Sequence, residues 1–169
     1  MAGSRQERAW VRGAQAGSAS DFEALFRVHW PLAYRAAYLV VHDSAAAEDI
    51  AQEAFLAAVR ALDRFDQRRP FGPWLHRIVV NRAIDWARAR KLRGELGLGE
   101  VEADPLDPGL DSDLVAAIAT LSPEHRAVIV LRHLLEYTPG EISRMLGLPR
   151  GTVNSRLRRG LDELRGRLP

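Results

Sequence analysis

Between residues 150 and 159 the chain carries Arg150, Thr152, Asn154, Ser155, Arg156, Arg158 and Arg159, a run of hydrogen-bond donors uninterrupted by any carboxylate. Such side chains recognise rather than react. Arg donates to guanine, Asn pairs with adenine, and Ser adapts to its surroundings. At helical periodicity Asn154, Ser155, Arg158 and Arg159 fall on one side, and Val153, Leu157, Leu161 and Leu164 on the other. Arg150, Thr152 and Arg156 flank the polar face, where they suit phosphate. The spacing predicts a helix that buries one side in protein and offers the other to the major groove of DNA. A solvated basic face on an ordinary helical hairpin is the plain alternative.

The residues ahead of this helix supply the means of aiming it. Thr138-Pro139-Gly140-Glu141 reads as a capping box with proline at the first helical position. It opens a short helix bearing Ile142, Met145 and Leu146, and Gly147 suits the left-handed end of that helix. Gly147-Leu148-Pro149 is then a three-residue turn, which gives helix-turn-helix spacing. Neither helix is long enough to stand alone, so their apolar sides must pack on each other and on a preceding helix. Ser122-Pro123-Glu124 opens that helix, which runs to about 135 with Val128, Leu131 and Leu134 inward. Residues 114–121 form one more.

Two further polar faces lie in the N-terminal half. A helix over 45–63 buries Ala47, Ile50, Ala51, Ala54, Ala58 and Leu62. Asp49, Gln52, Glu53 and Arg60 share its outer face with Leu56, and an apolar residue among charges points to a protein contact rather than bare solvent. A helix over 73–91 turns Leu75, Ile78, Val79, Ala83 and Trp86 inward. Opposite them run Trp74, Arg77, Asn81, Asp85 and Arg88. Arg and Asn there suit phosphate and base edges; Trp74 either packs at the edge of the core or stacks on a base. The intervening loop is broken by Pro70 and Gly72 and carries Arg64, Phe65, Arg68 and Phe71. Its two aromatics could equally be staples for the neighbouring helices. Earlier still, Ser20 and Glu23 cap a helix bearing Phe22, Leu25, Phe26 and Val28. Pro31 sits near a break or in the first turn of a second piece over 32–41, and His42-Asp43-Ser44 makes a turn.

Composition agrees with an all-α fold of two small helical domains joined by a flexible acidic linker. The expected organisation is a disordered N-terminal tail over 1–20, a first module over 21–93, a linker over 94–113 and a second module over 114–169. The net charge of +2 conceals a strong segregation. Residues 95–113 hold seven acids and no base, whereas 144–167 hold seven Arg against two acids. One segment thus avoids a polyanion and another seeks it. The absence of cysteine excludes disulfides and thiolate metal sites. No apolar run is long enough to span a membrane or to serve as a secretory signal, so no membrane insertion and a cytoplasmic location are expected. The five His are scattered, and no HExxH, phosphate loop or nucleophile elbow occurs, so no enzyme activity, metal or cofactor is expected.

The segment LSPEHRAVIVLRHLLEYTPGEISRMLGLPRGTVNSRLRRGLDEL resembles region 4 of an extracytoplasmic-function sigma factor of the sigma-70 family. AAAEDIAQEAFLAAVRALDRFD, followed by FGPWLHRIVVNRAIDWARARK, resembles region 2 of the same family. The resemblance implies a dissociable subunit that gives core RNA polymerase its promoter choice. It implies that region 4 reads the −35 element as duplex through Arg150, Thr152, Asn154, Ser155, Arg156, Arg158 and Arg159. Region 2 would capture the −10 element through Arg64, Phe65, Arg68, Phe71, Trp74, Arg77, Asn81 and Arg88, with the loop receiving a base flipped from the strand. Asp49, Gln52, Glu53, Leu56 and Arg60 would dock on the clamp coiled coil of the polymerase largest subunit. The flap of the second subunit and an anti-sigma factor are the other partners that it implies.

The chain departs from the family pattern at two places. Asn154 stands where a basic residue is frequent, and Gly160-Leu161 where Ala-Arg is common; glycine in mid-helix costs about 1 kcal/mol relative to alanine. A stand-alone helix-turn-helix regulator is the rival reading, and it predicts unaided binding to duplex DNA.

Overall fold

A computed structural model describes residues 2–94 and 109–168. It is helical, with no strand among the described residues. Most of the expected 94–113 linker lies outside them. The order is α1 (Ala2–Gln15), α2 (Ala19–Val41), α3 (Ser44–Ala61), a 3₁₀ turn (Leu62–Arg64), α4 (Phe71–Leu92), α5 (Ser112–Ala119), α6 (Pro123–Ile129), a π turn (Val130–Leu134), α7 (Pro139–Leu146) and α8 (Arg150–Arg165).

The first correction concerns the N-terminus. The expected disordered tail over 1–20 is largely α1, packed on α2 and on the 3₁₀ turn. Val11, buried to 2% exposure, joins the core, and Glu7 and Gln15 lie one helical turn on either side of it along the same stripe. Gly13 permits the close crossing: a Cβ there would collide with the Asp21 carboxylate.

The second correction is at Pro31. The chain does not break there, because α2 runs unbroken for 23 residues with Pro31 inside it. The proline ring faces solvent, while Leu25, Ala33, Ala36, Ala37 and Val40 on the inner side are wholly buried. Packing on both sides of the proline outweighs the hydrogen bond it removes. Helix α2 also begins earlier than the Ser20 cap predicts, with the Ser18 hydroxyl accepting from Asp21 N. It ends at His42 in the left-handed conformation, φ 53°, and Asp43 caps α3 by accepting from Ala46 N at 2.9 Å.

In the second module the sequence-read caps stand in place. Ser122 accepts from His125 N, Thr138 and Glu141 form the reciprocal capping box, and Gly147 closes α7 at φ 65°. Helix α5 starts at Ser112, slightly before the expected 114, because Asp111 caps it. The predicted 122–135 helix loosens into the π turn, which carries the chain out to Tyr137. Helix α8 lies on α6 with Gly160 at the crossing, where a Cβ would sit 3.2 Å from Ile129 Cγ1.

The two modules share one continuous apolar core, and α2 and α4 touch α5, α6, the π turn and α7. Polar bridges stitch the seam. The Arg126 guanidinium donates to Val40 O at 2.8 Å, and to Leu121 O and Ala119 O in its own module. His42 Nε2 donates to Val115 O at 3.2 Å, and Arg88 pairs with Glu124 at 2.7 Å.

Candidate nucleic-acid interface

Helix α8 turns its apolar side inward as the periodicity predicts: Val153, Leu157 and Leu164 are buried. Arg150, Asn154, Arg158 and Arg159 are exposed, while Thr152, Ser155 and Arg156 are half-buried along the borders. All seven predicted donors therefore lie on one helix, whose rigidity comes from α6 and α7 behind it. A basic, exposed face on a buttressed second helix has the form required for major-groove entry.

The predicted first-module residues divide. Arg64, Arg68, Arg77 and Arg88 are exposed, and Phe65, Trp74 and Asn81 are half-buried. Phe65 stacks on Trp74 with ring centroids 4.5 Å apart, so one surface platform replaces the two separate alternatives drawn for Trp74. Phe71 is different. It is fully buried at the first turn of α4 and packs edge-on against both rings. Phe71 is a core residue that backs the platform, and a base cannot reach it. Arg68 is held by Asp66, whose carboxylate accepts from its backbone N and guanidinium at 3.0 Å; those same bonds lower the Asp66 pKa.

Phe65, Trp74, Arg64, Asp66, Arg69 and Arg77 line one wall of a cleft of about 560 Å³. Tyr137, Glu141, Arg144 and Met145 of the second module form the opposite wall. In this arrangement the second module stands over the predicted −10 surface. Asn81 donates to Met145 O, and His76 Nδ1 lies 2.7 Å from the Tyr137 hydroxyl. Burial pushes the His76 pKa down to about 4, with the neighbouring His29 adding to the effect and Glu7 opposing it. Burial likewise takes His42 down to about 3, with the Arg126 charge reinforcing it. Arg126 itself falls to about 10 through burial, so it stays charged at neutral pH.

On α3, Asp49, Gln52, Glu53, Leu56 and Arg60 are all exposed on one face. Val59 joins them at 45% exposure beside Leu56 at 54%, an apolar pair that the sequence reading had noted only in part. Glu53 is tied to Arg82 of α4 at 3.1 Å. The sequence reading also missed Glu7 and Gln15, which reach the 62–71 segment from α1. Only a helical phase across 7, 11 and 15 in an otherwise polar stretch hints at them. No helix of the described residues is long and apolar enough to cross a membrane, and no cluster there could hold a metal ion.

Comparison with known proteins agrees with this layout. Family models match sigma-70 region 2 over residues 25–93 and sigma-70 region 4 over residues 117–166. The chain is 32% identical to the ECF RNA polymerase sigma factor SigW of Bacillus subtilis, covering 94% of each sequence. It is 34% identical to the ECF sigma factor SigL of Mycobacterium tuberculosis, over 92% of this chain and 93% of that one. Among solved structures it resembles CnrH in complex with the cytosolic domain of CnrY, with a TM-score of 0.69 at 27% identity over 95% of this chain and 96% of that one. The fold also matches the sigma factor RpoE of Bartonella quintana with a TM-score of 0.74 at 23% identity, over 88% and 96% of the two chains. With both regions present in order, and with relatives of one kind aligned over nearly their whole length, the chain belongs to the extracytoplasmic-function sigma factors of the sigma-70 family, which direct RNA polymerase to initiate transcription at chosen promoters.

Proposed function

We propose that the three surfaces divide the work of promoter recognition among them. Helix α8 enters the major groove at the −35 element, with Asn154, Ser155, Arg158 and Arg159 on base edges and Arg150, Thr152 and Arg156 toward phosphate. The Phe65–Trp74 platform, with Arg64, Arg68, Arg77, Asn81 and Arg88 around it, captures the −10 element and receives a base extruded from the stack. Unstacking a base costs a few kcal/mol, which an aromatic floor and guanidinium walls offset. The α3 face holds core polymerase through Asp49, Gln52, Glu53, Leu56 and Arg60, extended by Val59. The polymerase supplies the catalysis; this chain acts from the cytoplasm by recognition alone, without cofactor or metal.

The observation that carries this reading is the pairing of an exposed Arg-rich helix in one module with an aromatic platform ringed by Arg in the other. Geometry adds a condition. Elements centred about 25 base pairs apart are separated by roughly 85 Å of duplex at 3.4 Å per step. A compact chain of this length has a radius of gyration of only about 15 Å. The modules must therefore part before both elements are held. An anti-sigma factor that favours the closed arrangement is the expected regulator, by analogy with CnrH and its CnrY partner.

Run-off transcription with core polymerase on fragmented genomic DNA, followed by mapping of start sites, tests the reading. Start sites that share paired −35 and −10 sequences and vanish without this chain support it. Specific binding of the isolated chain to duplex DNA, with no effect on start sites, overturns it in favour of a stand-alone regulator.

A further inference from the structure

The segment between α3 and α4 must hold its platform in a fixed place, and yet both of its ends are poorly served locally. In the 3₁₀ turn Leu62 O accepts from Phe65 N at 3.1 Å, which leaves it one lone pair, and the Phe65 carbonyl stands just past the turn's end. At the other end, α4 begins at Phe71 behind Pro70, which has no side chain able to cap it.

Helix α1 satisfies both ends. The Gln15 side-chain amide donates to Leu62 O and to Phe65 O, each at 2.9 Å. The Glu7 carboxylate accepts from Phe71 N at 3.3 Å through one oxygen and meets His29 Nε2 at 2.7 Å through the other. The His29 bond lowers the Glu7 pKa, so the carboxylate is ionised and serves as an acceptor. The two residues are eight apart on one stripe, about 12 Å along the axis, with Val11 anchoring the helix between them.

We infer that Gln15, with Glu7, is a positioning residue for −10 base capture: α1 clamps the two ends of the 62–71 segment so that Phe65 and Arg64 stand ready against Trp74 before DNA arrives. Helix α1 lies outside the span matched to region 2, and nothing in the resemblance assigns it this role. A pre-set receptor site does not have to be ordered at the moment of binding, so loosening it lowers the gain from the captured base more than it lowers general affinity. The inference rests on the −10 reading of the Phe65–Trp74 platform.

The test uses holoenzyme assembled with core polymerase. The probes are fork-junction fragments from a promoter mapped by run-off transcription, intact or with each non-template −10 base removed in turn. The position whose loss weakens wild type most defines the captured base, and the affinity ratio of intact to abasic probe there is the readout. Gln15→Met keeps shape and removes both donors; Gln15→Lys restores donors to the two carbonyls. The ratio is expected to fall about 25-fold in Gln15→Met, from two hydrogen bonds each worth about fivefold in an equilibrium, and to recover in Gln15→Lys. Core capture and thermal midpoint serve to separate this from general unfolding. A wild-type ratio in Gln15→Met, with Trp74→Ala impaired, overturns the clamp alone. A wild-type ratio in Trp74→Ala removes the platform reading and the clamp with it.

Discussion

The side-chain amide of Asn81 donates to the carbonyl oxygen of Met145 at 3.2 Å, while also donating to Arg77 O of its own helix at 2.8 Å. One residue on the proposed −10 surface is thereby tied to the first helix of the helix-turn-helix. Arg88 on the same stripe is tied to Glu124. On the proposed −10 reading each bond must break before its own side chain can reach nucleic acid, so DNA and the second module would compete for the same groups.

Arg158→Ala and Arg159→Ala should each weaken holoenzyme binding to its −35 element by about 1–3 kcal/mol and relax sequence preference there. Arg156→Ala should act differently, lowering affinity evenly across sequences and reducing the salt slope by about one unit. Binding titrations on matched and mismatched duplexes at several salt concentrations distinguish the two. Unaltered preference in both outer variants removes α8 from base readout.

Replacing Asp49 and Glu53 together with Arg should abolish capture by core polymerase and leave the fold intact. Among the described residues the ion pair lost is the exposed Glu53–Arg82 pair, and such pairs contribute about 0–1 kcal/mol. Normal retention on immobilised core polymerase would refute the assignment of this face.

Arg126→Met should destabilise the chain by about 3 kcal/mol, because carbonyls from α2 and from both sides of the α5–α6 turn lose a charged donor. Denaturant unfolding measures the loss, and dye pairs on the two modules should report greater separation. A midpoint like that of wild type contradicts the bridging role.

Acidification should loosen the closed arrangement. His42 and His76 have folded pKa values of about 3 and about 4, below the unfolded 6.5, so the folded state keeps them neutral. Their contribution is fully present above about pH 6.5 and is lost as pH falls toward those folded values. At pH 5.5 each accounts for about 1.4 kcal/mol relative to neutral pH. Melting curves at pH 7.5 and 5.5, with His76→Gln as the comparison, should show a smaller pH effect in the variant. Equal effects would discount the histidine.

The sequence told most where side chains themselves carry the signal. The caps at Ser122 and Thr138, the turn at Gly147 and the faces of α3, α4 and α8 are written in residue types and periods. What stayed hidden depends on backbone acceptors. Val40 O, Leu62 O, Phe65 O, Val115 O and Met145 O receive the bonds that join α1 to the loop and one module to the other. A carbonyl is the same in every residue, so its use leaves no trace in the sequence. Helix α1 was missed for a related reason: with few apolar residues it draws its stability from Glu7, Val11 and Gln15 meeting partners far along the chain. Pro31 misled because burial on both sides of it is a tertiary fact.

The bare backbone at Gly160 has a mechanical meaning. Ile129 fits against it so closely that the tilt of α8, the proposed reading helix, is set from behind by the bulk of one side chain. A methyl added at 160 would press on Ile129 by a few tenths of an ångström, and any tilt of α8 that relieves it would carry Arg158 and Arg159 along. On the proposed reading, promoter preference would then depend on this buried crossing as well as on the side chains that α8 exposes.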